Sequence, residues 1–214
     1  MTNEYTTSKP KIALVTGGSR GIGRNTVESL AKRGVHTIFT YHSHSADAEA
    51  VVAAVRDAGA QSIALQLDAG NVASFDAFVE SMKDALAKLG APRFDFLVNN
   101  AGNNHRNMPF EKATEEEFDS VCNVHFKGVF FLTQKLLPLI NDGGRIINIS
   151  TARTRTSSAG GAVYASMKGA VEVLSRHLAK SWVRAGSPSM WLRRARSKPI
   201  SAAASFATIL LSTR

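Results

Sequence analysis

Tyr164 and Lys168 stand four residues apart in a stretch, residues 162–178, whose apolar positions recur at helical spacing. Side chains so spaced share one face of a helix, which brings a phenol and an ammonium together. A phenol near pKa ~10 is a poor acid at neutral pH, and a neighbouring ammonium stabilises its phenolate and lowers that value. The pair is suited to exchanging a proton with an oxygen atom. A second chemical feature lies near the start of the chain, where residues 11–23, KIALVTGGSRGIG, run an apolar segment into a glycine-rich turn. Gly17, Gly21 and Gly23 remove the side chains that would keep a diphosphate away from backbone N–H groups. The helix that follows, residues 22–33, presents its partial positive end to the phosphates. Strand, turn and helix together make a nucleotide cradle.

These groups need a scaffold, and the chain between them alternates regularly. Ile12, Ala13, Leu14 and Val15 are contiguous, as in a strand covered on both faces of a parallel sheet. Residues 35–41, 62–68, 95–102 and 145–151 read as four more strands. Helices are expected at 45–60, at 71–90, where Phe75, Phe78, Val79, Met82, Leu86 and Leu89 share a face, and at 114–140. Thr114 and Glu117 fit a capping box at the start of that last helix. The alternation predicts an α/β fold, a Rossmann-like doubly wound parallel sheet with helices on both faces.

At 214 residues and 44% apolar, the chain can bury the core of one domain. Its polar start and the lack of an apolar run of ~18 residues are those expected of a soluble, cytoplasmic protein without a membrane partner. Cys122 is the sole cysteine, which excludes an intramolecular disulfide and suits a reducing compartment. Beyond His42 and His44, which lie at an expected strand end, the six histidines show no metal-ligand spacing, so no metal site is expected. Net charge is +9, yet residues 181–214 carry six of the basic residues and no acid. The positive excess belongs mostly to the tail, which argues against a nucleic-acid partner.

In order and spacing, five motifs over residues 11–180 resemble the short-chain dehydrogenase/reductase family, and among its members the 3-oxoacyl-carrier-protein reductases. They are TGGSRGIG (16–23), Asp68 after the third strand, NNAG (99–102), the hydroxyl pair Ser150 and Thr151, and YASMK (164–168). The resemblance implies hydride transfer between a nicotinamide cofactor and a small-molecule carbonyl or secondary alcohol. It makes Tyr164 the proton donor in reduction and the base in oxidation, with Lys168 tuning it and binding the nicotinamide ribose. The family's substrate-orienting serine falls thirteen positions before the tyrosine, at Thr151, with Ser150 the fallback. Adjacent strand residues point to opposite faces, so the two cannot serve together. His125 stands where the family commonly has an asparagine thought to hold a relay water; an imidazole can both donate and accept, and a packed structural role is the alternative.

For the cofactor, the resemblance assigns contacts to Gly17, Ser19, Arg20, Gly21, Ile22 and Gly23, to Tyr41 and His42 at the end of the second strand, to Asp68 at the adenine edge, and to Asn99, Ala101 and Gly102 beneath it. Asn99 is alternatively a tie between strands. An acid about 20 residues past the glycine turn would bind an NAD ribose. Residues 40–43 contain none, and Arg20 can pair with a 2′-phosphate, so NADP is favoured, with NAD possible.

After residue 180 the pattern breaks. The family continues with a sixth strand, a Pro-Gly turn, a substrate loop and a seventh strand, and intact relatives form homo-oligomers. Residues 181–214 show no such pattern. Codons can be chosen for the residues from Lys180 onward such that restoring one G after the first of them reads KELGARGIAVNVVAPGAIETDF, which has the form the resemblance implies. The tail is thus expected to be the product of a single-nucleotide deletion near codon 181. This divides the chain into an incomplete cofactor-binding domain, residues 1–180, and an aberrant basic tail, residues 181–214. The sheet is expected to lack its last strands, the tail to be disordered or poorly packed, and Leu30 and the helix at 162–180 to lose packing partners.

Overall fold

The computed structural model describes residues 10–103, 108–183 and 190–195. Five strands, β1 (Ile12–Val15), β2 (His36–Tyr41), β3 (Ser62–Gln66), β4 (Phe94–Asn99) and β5 (Ile140–Thr151), lie parallel. Between them run α1 (Gly21–Ala31), α2 (Ser45–Asp57), α3 (Phe75–Lys88), α4 (Glu115–Cys122) and α5 (Gly128–Leu136), with α6 (Ala162–Val183) after β5. With a sixth strand, β6 (Met190–Ala195), the order is β3-β2-β1-β4-β5-β6. The strand order reverses beside β1, opening a crevice between the carboxyl ends of β1 and β4.

The contiguous apolar strands are covered on both faces, as parallel strands require. Ala13, Val15, Phe39, Phe96, Val98, Ile147 and Ile149 pack with α1 and α2 through Val27, Leu30, Val51 and Val55. On the other face, Ile12, Leu14, Ile38, Leu97 and Ile146 pack with Phe75, Phe78, Met82 and Leu86 of α3 and with Leu132 and Leu136 of α5. Leu30 is fully buried, contrary to the expected loss of its partners, because α2 closes over it.

Two elements differ from expectation. The helix expected over 114–140 starts as predicted, with the Thr114 side chain accepting from the Glu117 amide. It is then interrupted by a π-helical turn, Asn123–Lys127, and ends in a 3₁₀ turn, Leu137–Leu139. The wider turn sits where the helix backbone comes close to the loop after β3: a Cβ on Gly128 would fall 2.0 Å from the Ala69 carbonyl oxygen.

The second difference is β6. The sheet was expected to end at β5, yet Met190–Ala195 pairs in parallel along it, from Ile146↔Met190 to Thr151↔Ala195. An open strand edge offers N–H and C=O groups to any extended segment whatever its side chains, so a tail without a strand-like pattern can still pair. No seventh strand occurs among the described residues. Residues 184–189 and 196–214, and with them the expected poor packing of the tail, lie outside the described residues.

Candidate active site

The cradle is built mostly from backbone. The Thr40 hydroxyl accepts from the Gly17 amide at 3.0 Å, and the Thr40 carbonyl accepts from the Gly18 amide at 2.8 Å. Buried Thr16 holds the end of β4 against the turn, its hydroxyl oxygen accepting the amides of Asn100 and Ala101, each at 2.9 Å. The Asn100 side chain returns the tie, donating to the carbonyls of Thr16 and Gly17. Gly17 has a φ of +65°, and a Cβ on Gly23 would lie 2.1 Å from the Gly17 oxygen. Only glycine fits either place. A Cβ on Gly21 would meet open space, so the turn leaves room on its cleft side.

That cleft, about 890 Å³, is lined by Gly17, Ser19, Arg20, Gly21 and Ile22 on one side and by Tyr41, His42 and Asp68 at the end of β2 and β3. Ala101, Gly102, His125, Ser150, Thr151, Tyr164 and Lys168 line the rest. Bare backbone at a helix N-terminus, beside exposed Arg20, matches the donor set that a dinucleotide phosphate requires, so the residues fit NADP. Asp68 accepts from the Gly70 amide at 2.8 Å and stands exposed at the rim.

Asn99 is set apart from the floor with which the resemblance groups it. It is buried, and its amide donates to Thr133 at 3.0 Å and to Asn148 at 2.8 Å, while Asn148 donates to Ser175 on α6. Its place is the tie between strands, because its side chain reaches from β4 to Thr133 on α5 and Asn148 on β5. Asn100, the next residue, lines the cleft.

At the other end of the cleft, α6 and β5 converge. Lys168 is 5% exposed, its Nζ donates to the Ile149 carbonyl at 2.9 Å, and burial pushes its ammonium down to about 8. The Nζ lies 5.8 Å from the centre of the Tyr164 ring. Burial pushes the Tyr164 phenol up, opposed by the positive charge of Arg153. The shift is upward rather than the lowering expected from Lys168, because burial outweighs the opposing charge of Arg153, a residue the sequence did not single out. The Lys168 ammonium sits beside the ring with one proton on the Ile149 carbonyl.

His125 is 3% exposed and edge-on to Tyr164, with ring centres 5.0 Å apart at 87°. Its Nε2 is 2.9 Å from the Asn103 side-chain oxygen, and a Cβ on Gly102 would sit 2.8 Å from its Cε1. It thus packs between the floor of the cleft and the tyrosine. Ser150 is buried with its hydroxyl donating to Glu172 at 2.7 Å, whereas half-buried Thr151 accepts from the Arg153 amide at 3.4 Å. Thr16, Thr40, Asn103, Arg153 and Glu172 are the participants that sequence reading did not assign. Thr16 alone carried a signal, as the first residue of the glycine motif.

Among the described residues, no group of three or more His, Cys, Asp or Glu side chains is placed to hold a metal ion, and no helix is long and apolar enough to cross a membrane. The short chain dehydrogenase family model matches residues 11–186, and the chain belongs to that family. It is 38% identical over 169 residues to an uncharacterized oxidoreductase of Methylorubrum extorquens, covering 79% of this chain and 66% of that protein. To the 3-oxoacyl-[acyl-carrier-protein] reductase of Staphylococcus epidermidis it is 36% identical over 178 residues, covering 82% and 70%. To a hydroxynaphthalene reductase of Aspergillus fumigatus it is 32% identical, covering 82% and 62%. The chain therefore spans about two thirds of the length of these relatives.

Solved structures agree in fold. A reductase that catalyses keto-reduction at C1 in lugdunomycin biosynthesis superposes with a TM-score of 0.85 at 30% identity, covering 94% of this chain and 88% of that one. A metagenomic short-chain oxidoreductase solved in complex with NADP gives 0.84 at 26% identity, covering 95% and 91%.

Proposed function

We propose that the chain transfers a hydride between NADP(H) and a small-molecule ketone or secondary alcohol. The observation that carries this reading is the meeting, in one cleft, of the glycine cradle with Tyr164, Lys168 and Thr151. When bound, NADP(H) supplies or accepts the hydride. Gly17 to Gly23 hold the phosphates through backbone N–H groups, and Arg20 takes the 2′-phosphate as a charge-assisted pair. NADP-bound relatives of the same fold support the choice of cofactor.

In the direction of reduction, Tyr164 gives its phenolic proton to the substrate oxygen, and in oxidation the phenolate takes it back. Burial keeps the phenol protonated but weakens it as an acid, and the positive charge of Arg153 works against that rise. Thr151 donates a hydrogen bond that orients the carbonyl, Ser150 being engaged with Glu172 on the opposite face. Lys168 binds the nicotinamide ribose, and His125 holds the tyrosine ring edge-on while linking it to Asn103. The test is ketone-dependent loss of NADPH absorbance over a panel of acyl, cyclic and aromatic ketones. No turnover with any of them, from a chain that binds NADPH, would overturn the reading.

A second reading is a nucleotide-binding remnant with impaired catalysis, produced by the frameshift. It is favoured by the family-like peptide that one permitted choice of codons yields when a G is restored after Lys180, and by a family match that ends at residue 186. Sequencing the coding DNA across codons 178–184 tests it, and a reading frame that does not yield that peptide would dismiss it.

A further inference from the structure

The oxidoreductase reading assigns no role to Glu172, a carboxylate only 8% exposed, one turn beyond Lys168 on α6. Its Oε1 accepts from the Ser150 hydroxyl at 2.7 Å. The Thr154 hydroxyl lies 2.8 Å from the same oxygen and 3.0 Å from the Thr151 carbonyl, so its single proton is shared between them. The carboxylate thus grips both sides of Thr151, through the residue before it and through the turn that follows. Neighbouring strand residues face opposite ways, so fixing the Ser150 side chain toward α6 fixes the Thr151 hydroxyl toward the cleft.

The same turn carries Arg153. Its Nη1 lies 3.6 Å from where a Cβ on Gly161 would be, just ahead of the first turn of α6 and three residues before Tyr164. We propose that Glu172 is a positioning residue, whose Oε1 clamps the end of β5 and the following turn to α6, setting Thr151 and the Arg153 guanidinium against Tyr164. Burying a carboxylate is unfavourable unless it is well hydrogen-bonded, and an apolar residue at this point of α6 would join strand to helix without that burden. What the apolar residue lacks is the ability to fix two hydroxyl donors at set positions. The clamp rests on the oxidoreductase reading for its purpose but not for its detection.

The test uses the full chain with Glu172→Ala, Glu172→Gln and Thr154→Val. NADPH affinity is read by fluorescence, kcat and KM with a ketone that the parent turns over, and the Tyr164 phenol by ultraviolet difference titration, with Tyr164→Phe as the blank for the other two tyrosines. The charged and titratable groups facing that phenol are Arg153 from the turn, His125 from the π-helical turn and Lys168 on its own helix. In Glu172→Ala, kcat is expected to fall about tenfold with NADPH affinity within about twofold, since a small misplacement of reacting groups lowers rate more than binding. The Tyr164 titration moves upward as Arg153 leaves. Glu172→Gln, whose amide oxygen still accepts from both hydroxyls, restores most of the rate and the titration. Thr154→Val loses about threefold in kcat, one of the two donors remaining.

A folded Glu172→Ala with the parent's kcat and titration overturns the proposal, as does a loss of rate that tracks NADPH affinity or a Glu172→Gln as poor as the alanine. If the alanine variant fails to fold, a Thr154→Val that matches the parent in both readouts overturns it. If the parent turns over no ketone, the oxidoreductase reading falls while the titration series still decides the clamp.

Discussion

The two ends of the cleft are made in opposite ways. Around Gly17 to Gly23 the protein works by leaving side chains out: backbone meets backbone, with Thr16 and Thr40 pinning the loop from below. Around Tyr164 it works by putting side chains in, with Lys168 and Glu172 from α6, His125 from the π-helical turn and Arg153 from the turn after β5. The first kind of site depends on a short contiguous stretch. The second depends on β5, α6 and the π-helical turn arriving together, so it is the part more easily disturbed by change at a distance.

The largest effect that would break this contrast is expected at Tyr164. Tyr164→Phe should lower ketone turnover about a thousandfold, within the range for loss of a general acid, and leave NADPH affinity unaltered. An equal loss of both would mean that the catalytic end also builds the cradle. Conversely, Gly23→Ala drives a Cβ into the Gly17 carbonyl and close to the Asn100 amide, and should weaken NADPH binding at least about a hundredfold. Isothermal titration checks this, and a variant that binds normally would show the close approach to be dispensable.

A smaller effect sharpens the energetic side. Between the folded Lys168 value of about 8 and the ordinary value for lysine, the unfolded chain keeps a proton that the folded chain has released. Raising the pH across that window therefore favours the folded state, by an amount on the order of 2 kcal/mol toward pH ~10. Above that, the raised phenol of Tyr164 acts in the opposite sense, because the unfolded tyrosine ionises first. Urea midpoints at several pH values should show the rise in the parent and not in Lys168→Met.

The smallest effect concerns the one long side chain that the cradle uses. Arg20 is exposed and 3.8 Å from the Asp47 carboxylate, a weak surface pairing. Arg20→Ala should weaken NADPH about tenfold and NADH hardly at all, the difference being the lost 2′-phosphate pair. Equal weakening of both cofactors would remove Arg20 from the specificity argument.

The sequence alone determined the cradle, the alternation of strands and helices, and the pairing of Tyr164 with Lys168. Each is local: an apolar run, three glycines, an i,i+4 spacing. Tertiary structure decided what needs two distant segments at once. Ser150 and Thr151 look alike in sequence, and only α6 passing over β5 commits Ser150 to Glu172. Asn99 and Asn100 are neighbours of one type, yet the face of β4 sends one into the sheet's tie and the other to the glycine turn. Arg153 joins Lys168 as a cation near Tyr164 only because the turn after β5 packs against α6, and the Lys168 ammonium is anchored by one of its protons on the Ile149 carbonyl. The strand β6 was invisible for a different reason: ladder hydrogen bonds belong to the backbone, and an open edge accepts a segment whose side chains announce nothing.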